Sequence, residues 1–291
     1  MKFIETLLNG LSSGSTYAMI ALGYTMVYGI AKMLNFAHGD VIMVGGYTLY
    51  VTAVMMGMNP ILGLLLAIIC CALLGVTIEK LAYKPLRGAS PLAVLITAIG
   101  MSYLLQSLAQ ISFGSADRMV RLFDLGKLNI GSFQISAYTV VTLTCSAVIM
   151  VALSLFVKYT RIGRAMIAVS EDKGAAQLMG INVNFIITIT FAIGSALAAF
   201  AGFFMVLKSP PVNSTLGAMP GIKAFTAAVI GGIGSIPGAM LGGILMGIVE
   251  AFAQTSPAIA PFTVAIEFSI LIVILLVRPS GILGKKRREK V

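Results

Sequence analysis

The chain has 291 residues, of which 58% are hydrophobic and 10% charged, with a net charge of +10. A soluble fold of this size carries about a quarter charged residues, so a water-soluble domain is excluded. The period-two alternation of a membrane β-barrel is absent, and basic loops are what a helical membrane protein carries in any case, which removes nucleic acid as the partner.

Apolar runs longer than about 18 residues read as membrane spans. Runs free of acidic and basic residues cover 6–31, 41–78, 88–116, 128–157, 174–207 and 224–249. The pattern predicts helices near 6–31, 37–56, 61–79, 92–112, 136–157, 185–207, 224–250 and 262–277. The fold class is therefore all-α: a polytopic α-helical membrane protein with about eight hydrophobic segments, forming a single integral domain over 1–291. The first segment is too long for the core of a signal peptide and no small-residue cleavage site follows it, so it is expected to stay.

Between the first two segments, residues 30–40 interrupt the apolar pattern with Asn35, the only histidine, His38, and Asp40. This stretch reads either as a simple cytoplasmic turn or as an unwound segment beside a transport path, since paired interruptions in transporters point to the substrate route. His38 and Asp40 stand two apart and do not share a helical face. The side of the N-terminus stays open. The run 41–78 is too long for one span and breaks at Gly57-Met58-Asn59-Pro60.

Basic residues mark three cytoplasmic loops: Lys80, Lys84 and Arg87; Lys158, Arg161, Arg164 and Lys173; and the tail 278–291 with Lys285, Lys286, Arg287 and Arg288. Worked back from a cytoplasmic C-terminus, the segment 224–250 must begin and end outside. Its middle holds Gly231, Gly232, Gly234 and Pro237. Glycine and proline at this density break a helix, so a broken or re-entrant helix pair is expected there. Glu250 and Glu267 flank the outer turn at 254–261 and are placed at the membrane interface.

Small residues at Gly10, Gly14 and Ala18, at 194–202, and at Gly238 and Gly242 are read as helix-packing faces. Cys70, Cys71 and Cys145 lie within apolar runs and are read as packing residues.

The polar island 159–184 lies between two long apolar runs. Ser170 is expected to cap a short helix beginning at Glu171, with Glu171 and Asp172 in its first turn. Gly180 is expected to end that helix at positive φ. Such a segment offers a soluble partner something to grip.

Here the chain resembles a known family. Permeases of ATP-binding-cassette importers carry a cytoplasmic loop of the form Glu-Ala-Ala, three residues, then Gly. Ala175, Ala176 and Gly180 match it, with Gly174 in place of the glutamate. The stretches 21–29, 34–40, 161–165, 178–182, 231–239 and 278–284 are similar to the branched-chain amino acid permeases, closest to the LivH type.

The resemblance implies a subunit that forms a translocation path with a LivM-type permease and that docks two cytoplasmic ABC ATPases. A periplasmic amino-acid-binding protein delivers leucine, isoleucine or valine, in the bacterial inner membrane. On that reading the ATPase-coupling residues are Arg161, Arg164, Glu171, Asp172, Ala175, Ala176 and Gly180. The substrate-pathway candidates are Asn35, His38, Asp40, Gly231, Gly232, Gly234 and Pro237.

The residues themselves exclude an enzyme, since no catalytic cluster or metal site is present. They also lack a phosphate-binding Walker loop: near Gly284-Lys285, Pro279 replaces the first glycine and Lys286 the hydroxyl. No cofactor is therefore expected on this chain, and ATP and magnesium would be used by partner chains. The alternative is a stand-alone secondary transporter or channel for a small neutral solute. That reading would ordinarily require intramembrane charges for ion coupling or a repeated filter.

Overall fold

A computed structural model of the chain describes residues 2–123, 126–130 and 133–284. The basic run that begins at Lys285 lies outside the described residues. The chain is a helical bundle, as its composition requires, with eleven α-helices among the described residues. Chain order is α1 (Lys2–Ala31), α2 (His38–Leu49), α3 (Pro60–Ile78), α4 (Pro91–Phe113), α5 (Ala137–Tyr159), α6 (Arg161–Glu171), α7 (Lys173–Leu178), α8 (Val183–Lys208), α9 (Ala218–Gly231), α10 (Ile236–Gln254) and α11 (Thr263–Val277).

Six helical segments are long and apolar enough to cross a membrane: α3 to α5, α8, α10 and the segment ending in α11. Helix α1 spans 30 residues, about 45 Å at 1.5 Å per residue. It is less apolar than those six because its surface is given to protein rather than lipid. From Ala18 to Ala31 nearly every side chain is buried, against α8, α9 and α10. Lipid-soluble side chains are concentrated instead on α3, α4, α5 and α11, which expose Leu73, Ile96, Val148 and Leu276.

Local chemistry sets the ends. Pro60 and Pro91 stand in the first turns of α3 and α4, where a missing N–H costs nothing. Asn59 and Ser90 cap them, accepting from Ile61 N at 2.9 Å and Ala93 N at 3.3 Å. Helix α2 continues into a π-helical turn, Tyr50–Met55, and α3 into another, Glu79–Tyr83. Two small antiparallel pairs, β1 (Arg118–Met119) with β4 (Pro211–Val212) and β2 (Lys127–Ile130) with β3 (Phe133–Ser136), tie loops at one end of the bundle. No signal in the apolar pattern announced them.

The small-residue faces do pack helices. Antiparallel α1 and α10 approach closely: Gly10 meets Ala251, Gly14 meets Ile244 and Ala18 meets Gly243, while Gly29 meets Gly234 in the turn before α10. On α8, Gly194 meets Gly23, Ser195 meets Gly75, and Ala199 meets Gly45. The expected break in 224–250 is present between α9 and α10. It spans fewer residues than the run of glycines suggested, because Ser235 caps α10 and accepts from Gly238 N at 3.2 Å, which places Pro237 in that helix's first turn. Gly232 and Gly234 hold φ of +106° and +96°, a region few other residues tolerate.

These contacts order the bundle by depth. One end carries Lys80, Lys84, Arg87, Lys158, Arg161 and Arg164 and will be called the basic end. Helix α1 ends there, beside the α9–α10 break and segment 280–284. Ile282 N donates to Ile230 O and Leu283 N to Gly231 O, both at 2.9 Å. The N-terminus of α1 lies at the opposite end, where Phe3 packs on Phe252.

Candidate functional site

At the basic end, α6 and α7 lie across the ends of the long helices. Helix α6 is capped by Thr160, which accepts from Gly163 N at 3.0 Å. It buries Gly163, Met166 and Val169, an apolar stripe at helical spacing, and exposes Arg161, Arg164 and Glu171.

The expected cap is corrected here. Ser170 lies inside α6 and donates to Ile167 O at 2.7 Å. Asp172 is the cap of α7, accepting from Gly174 N at 2.8 Å and Ala175 N at 3.0 Å. A carboxylate satisfies two free N–H groups at once and carries the charge that suits a helix N-terminus, so it outcompetes the serine hydroxyl. The island therefore forms two helices hinged at Asp172, rather than one helix from Glu171.

Ala176 faces inward while Ala175 is exposed. Gly180 follows with φ +81°, the positive value expected of it. Just before it, Leu178 and Met179 are 90% and 82% exposed. Two large apolar side chains stand in the open at the end of α7, which packs on α6 and α8.

Lys173 ties this surface to the bundle. Its Nζ donates to Ala31 O at 2.8 Å, satisfying a carbonyl at the C-terminus of α1. The next residue, Lys32, has φ +60°, and the chain then turns back into the bundle. Tyr83 holds this turn from another side, donating to Asn35 Oδ1 at 2.9 Å and to Leu34 O at 3.3 Å. Lys173 was read from the sequence as a loop charge only, and nothing in the sequence marks Tyr83.

Segment 32–37 does not simply reverse at the surface. His38 is buried against the C-terminal third of α1, its ring meeting Tyr24 edge-on at 4.7 Å and its Nε2 packed on Gly23. Helix α2 thus starts within the protein, with Gly39 against Gly217 and Gly221 where α9 begins. His38 faces α1. Asp40 faces α4, where Gln106 Nε2 donates to Asp40 Oδ1 at 2.8 Å and to Ser102 Oγ at 3.2 Å.

A cavity of about 320 Å³ opens beside Asp40, between α2, α4 and α9. Its walls include Tyr24, Phe36, Ile99, Tyr103, Gly221 and Ile222. Of Asn35, His38 and Asp40, only Asp40 lines this cavity; His38 faces α1, and Asn35 is held by Tyr83 in the turn after α1. Gly231, Gly232, Gly234 and Pro237 lie at the basic end instead, where Gly29 meets Gly234. The structure does not bring the two groups into one site. Gln106, one of two amides in the apolar run of α4 with Gln110, is the residue beside Asp40 that the sequence reading missed.

Glu250 and Glu267, beside the turn between α10 and α11, share a countercharge within the bundle. Lys223 Nζ lies 2.6 Å from Glu250 and 3.2 Å from Glu267, and Tyr17 donates to Glu250 Oε2 at 2.7 Å. The acids sit on α10 and α11 but turn toward α1 and α9, because a desolvated carboxylate needs its countercharge. At the basic end Glu79 is likewise buried, paired with Arg87 and accepting from Thr188 at 2.8 Å.

Among the described residues there is no group of histidine, cysteine and acidic side chains that could hold a metal ion. A bundle of membrane-length helices with a helix pair broken at one end, a helix that starts within the protein and an amphipathic surface across the basic end is a membrane transport subunit. The chain belongs to the branched-chain amino acid transport system / permease component family, which matches residues 6–276. The high-affinity branched-chain amino acid transport system permease protein BraD of Pseudomonas aeruginosa is 43% identical over 302 residues, covering 99% of this chain and 98% of that protein. LivH of Escherichia coli K12, described in the same words, is 43% identical over 304 residues, covering 100% and 98%. The ribose import permease RbsC of Haemophilus influenzae is 27% identical, covering 84% and 76%.

Proposed function

We propose that this chain is the translocation subunit of an ATP-driven importer for leucine, isoleucine and valine in the bacterial inner membrane. It forms one integral domain whose path is completed by a second, LivM-type permease. Two ABC ATPases dock on the surface made by 159–184, with Arg161, Arg164, Glu171, Asp172, Ala175, Ala176 and Gly180 in or beside the contact. A periplasmic binding protein delivers the amino acid from the opposite end. ATP and magnesium are used in the partner chains. The basic end faces the cytoplasm with the C-terminus, because cytoplasmic loops carry the excess of lysine and arginine. The N-terminus then faces outward.

The observation that carries this reading is the pairing of Leu178 and Met179, exposed at the end of α7, with the Lys173 contact onto α1. The first needs a partner, and the second gives that partner a handle on the bundle. Movement of α7 would be felt at Ala31 and in the turn 32–37, from which Asn35, His38 and Asp40 enter the pathway. Gly231, Gly232, Gly234 and Pro237 would shape its cytoplasmic mouth.

Reconstitution in vesicles tests the reading, with labelled leucine as substrate. Uptake should require the ATPases, the second permease, the binding protein and ATP. Uptake by this chain alone, driven by an ion gradient, would reject it in favour of a secondary transporter. A cysteine placed by Gln177→Cys should react with a membrane-impermeant reagent only from the cytoplasmic side.

A further inference from the structure

Acidic side chains inside a membrane protein are costly unless paired, so the partners of each buried acid are informative. Glu79 has Arg87, and Glu250 and Glu267 share Lys223. Asp40 differs. It is 2% exposed, and among the described residues no lysine, arginine or histidine pairs with it. Its neighbour Gln106 is neutral: the amide orients the carboxyl group but supplies no countercharge. The same acid lines a cavity of about 320 Å³, within the range of about 300–1,000 Å³ of small-molecule sites.

The other walls define what would fit. Phe36, Ile99 and Ile222 offer an apolar surface, and Ser102, which accepts from the same Gln106 amide as Asp40, adds a hydroxyl. A buried carboxylate lacking a countercharge, set next to an apolar wall, is complementary to a cation with a short hydrocarbon tail. We propose that Asp40 is a transit site for a primary ammonium group, and that the adjacent wall receives an aliphatic side chain. Resting on the importer reading above, this assigns Asp40 to the α-ammonium of the travelling amino acid. Gln106 acts as a positioning residue that aims the carboxylate into the cavity.

The test uses the full importer, with Cys70→Ala, Cys145→Ala and a reporter thiol from Ser102→Cys. The rate of thiol labelling is measured against three probes: leucine, isoamylamine (ammonium and branched chain, no carboxylate) and isocaproate (carboxylate and branched chain, no ammonium). Leucine and isoamylamine should protect the thiol and isocaproate should not. Asp40→Asn should raise the half-protecting concentration of both amines on the order of ten- to a hundredfold, the usual weight of a hydrogen bond to a charged group, while Asp40→Glu should retain most of the protection. Protection by isocaproate equal to that by leucine, or unchanged protection in Asp40→Asn, overturns the assignment. If Asp40→Asn does not assemble, the three probes on Asp40 protein decide alone. Isoamylamine protection without any leucine uptake would reject the amino-acid importer and leave the ammonium site standing. Leucine uptake without ammonium dependence would do the reverse.

Discussion

Lys173 on the exposed helix α7 donates a hydrogen bond to the carbonyl of Ala31, the last residue of α1, at 2.8 Å. Residues 142 positions apart in sequence are thus joined where the surface helix α7 meets the end of α1. A lysine at a helix C-terminus also complements the partial negative charge of the last carbonyls. Lys173→Met should leave insertion and ATPase docking intact but lower leucine-stimulated ATP hydrolysis about fivefold, on the order of 1 kcal/mol for one partly exposed charged hydrogen bond. Burial, and secondarily the nearby Arg87, lower the pKa of Lys173 from the ordinary lysine value. The group loses its proton at lower pH than a free lysine, so coupling in the wild type should decline on the alkaline side sooner than ATPase activity itself. The ratio of leucine-stimulated to basal hydrolysis across pH checks both points.

Gly180 ends α7 with φ +81°, and a Cβ there would meet nothing within 4 Å. Space therefore does not forbid a side chain, but the backbone does, by about 1 kcal/mol for a non-glycine residue in the left-handed region. Gly180→Ala should lower co-purification of the ATPases slightly. Gly180→Asp adds a charge beside Leu178 and Met179 and should lower it strongly, as should Leu178→Asp alone. In each case the chain should insert normally, judged by its yield in membranes. Unchanged ATPase recovery with Leu178→Asp would mean that the partner grips elsewhere.

What the sequence disclosed followed from the kind of force involved. Burial in lipid acts on every residue of a span, so the helices could be read to within a few residues. The glycine-rich break between α9 and α10 showed for a similar reason, because Gly232 and Gly234 hold backbone angles that few other residues accept. The hinge at Asp172 was misread because Ser170 and Asp172 are both good caps, and only the fold decides which N–H groups are free. The partners of Glu250 and Glu267 were hidden because Lys223 stands in an apolar stretch of another helix, and pairing across helices leaves no periodic trace. The countercharge missing at Asp40 could not be seen until the other acids had been assigned theirs.

The α1–α10 seam makes a packing prediction. A Cβ on Gly14 would lie 2.8 Å from the Cα and carbonyl oxygen of Ile244. Both are backbone atoms in a helix and neither can swing aside. Gly14→Val should therefore force the seam apart, at a cost of about 1–3 kcal/mol for overpacking, and lower the thermal stability of the detergent-solubilised chain. Gly100→Ala is the matched control, since nothing lies within 4 Å of a Cβ there. It should be neutral or stabilising by up to about 1 kcal/mol from helix propensity. Thermal unfolding followed by size-exclusion chromatography separates the two.

Lys223 balances two acids, Glu250 at 2.6 Å and Glu267 at 3.2 Å, and all three are largely buried. Removing the cation alone leaves two carboxylates facing each other without water. Breaking a buried pair by deleting one partner costs about 3–5 kcal/mol, so Lys223→Met should reduce yield and thermal stability more than any single change at the surface. Replacing the whole group removes the charges together. The triple variant Lys223→Met, Glu250→Gln, Glu267→Gln should therefore recover most of the loss, although Tyr17 then donates to an amide oxygen instead of a carboxylate. If the three changes together are as damaging as Lys223→Met alone, packing around the lysine stem, rather than charge, holds α9, α10 and α11 together. Recovery would mark the cluster as an electrostatic clasp whose sum matters more than any member.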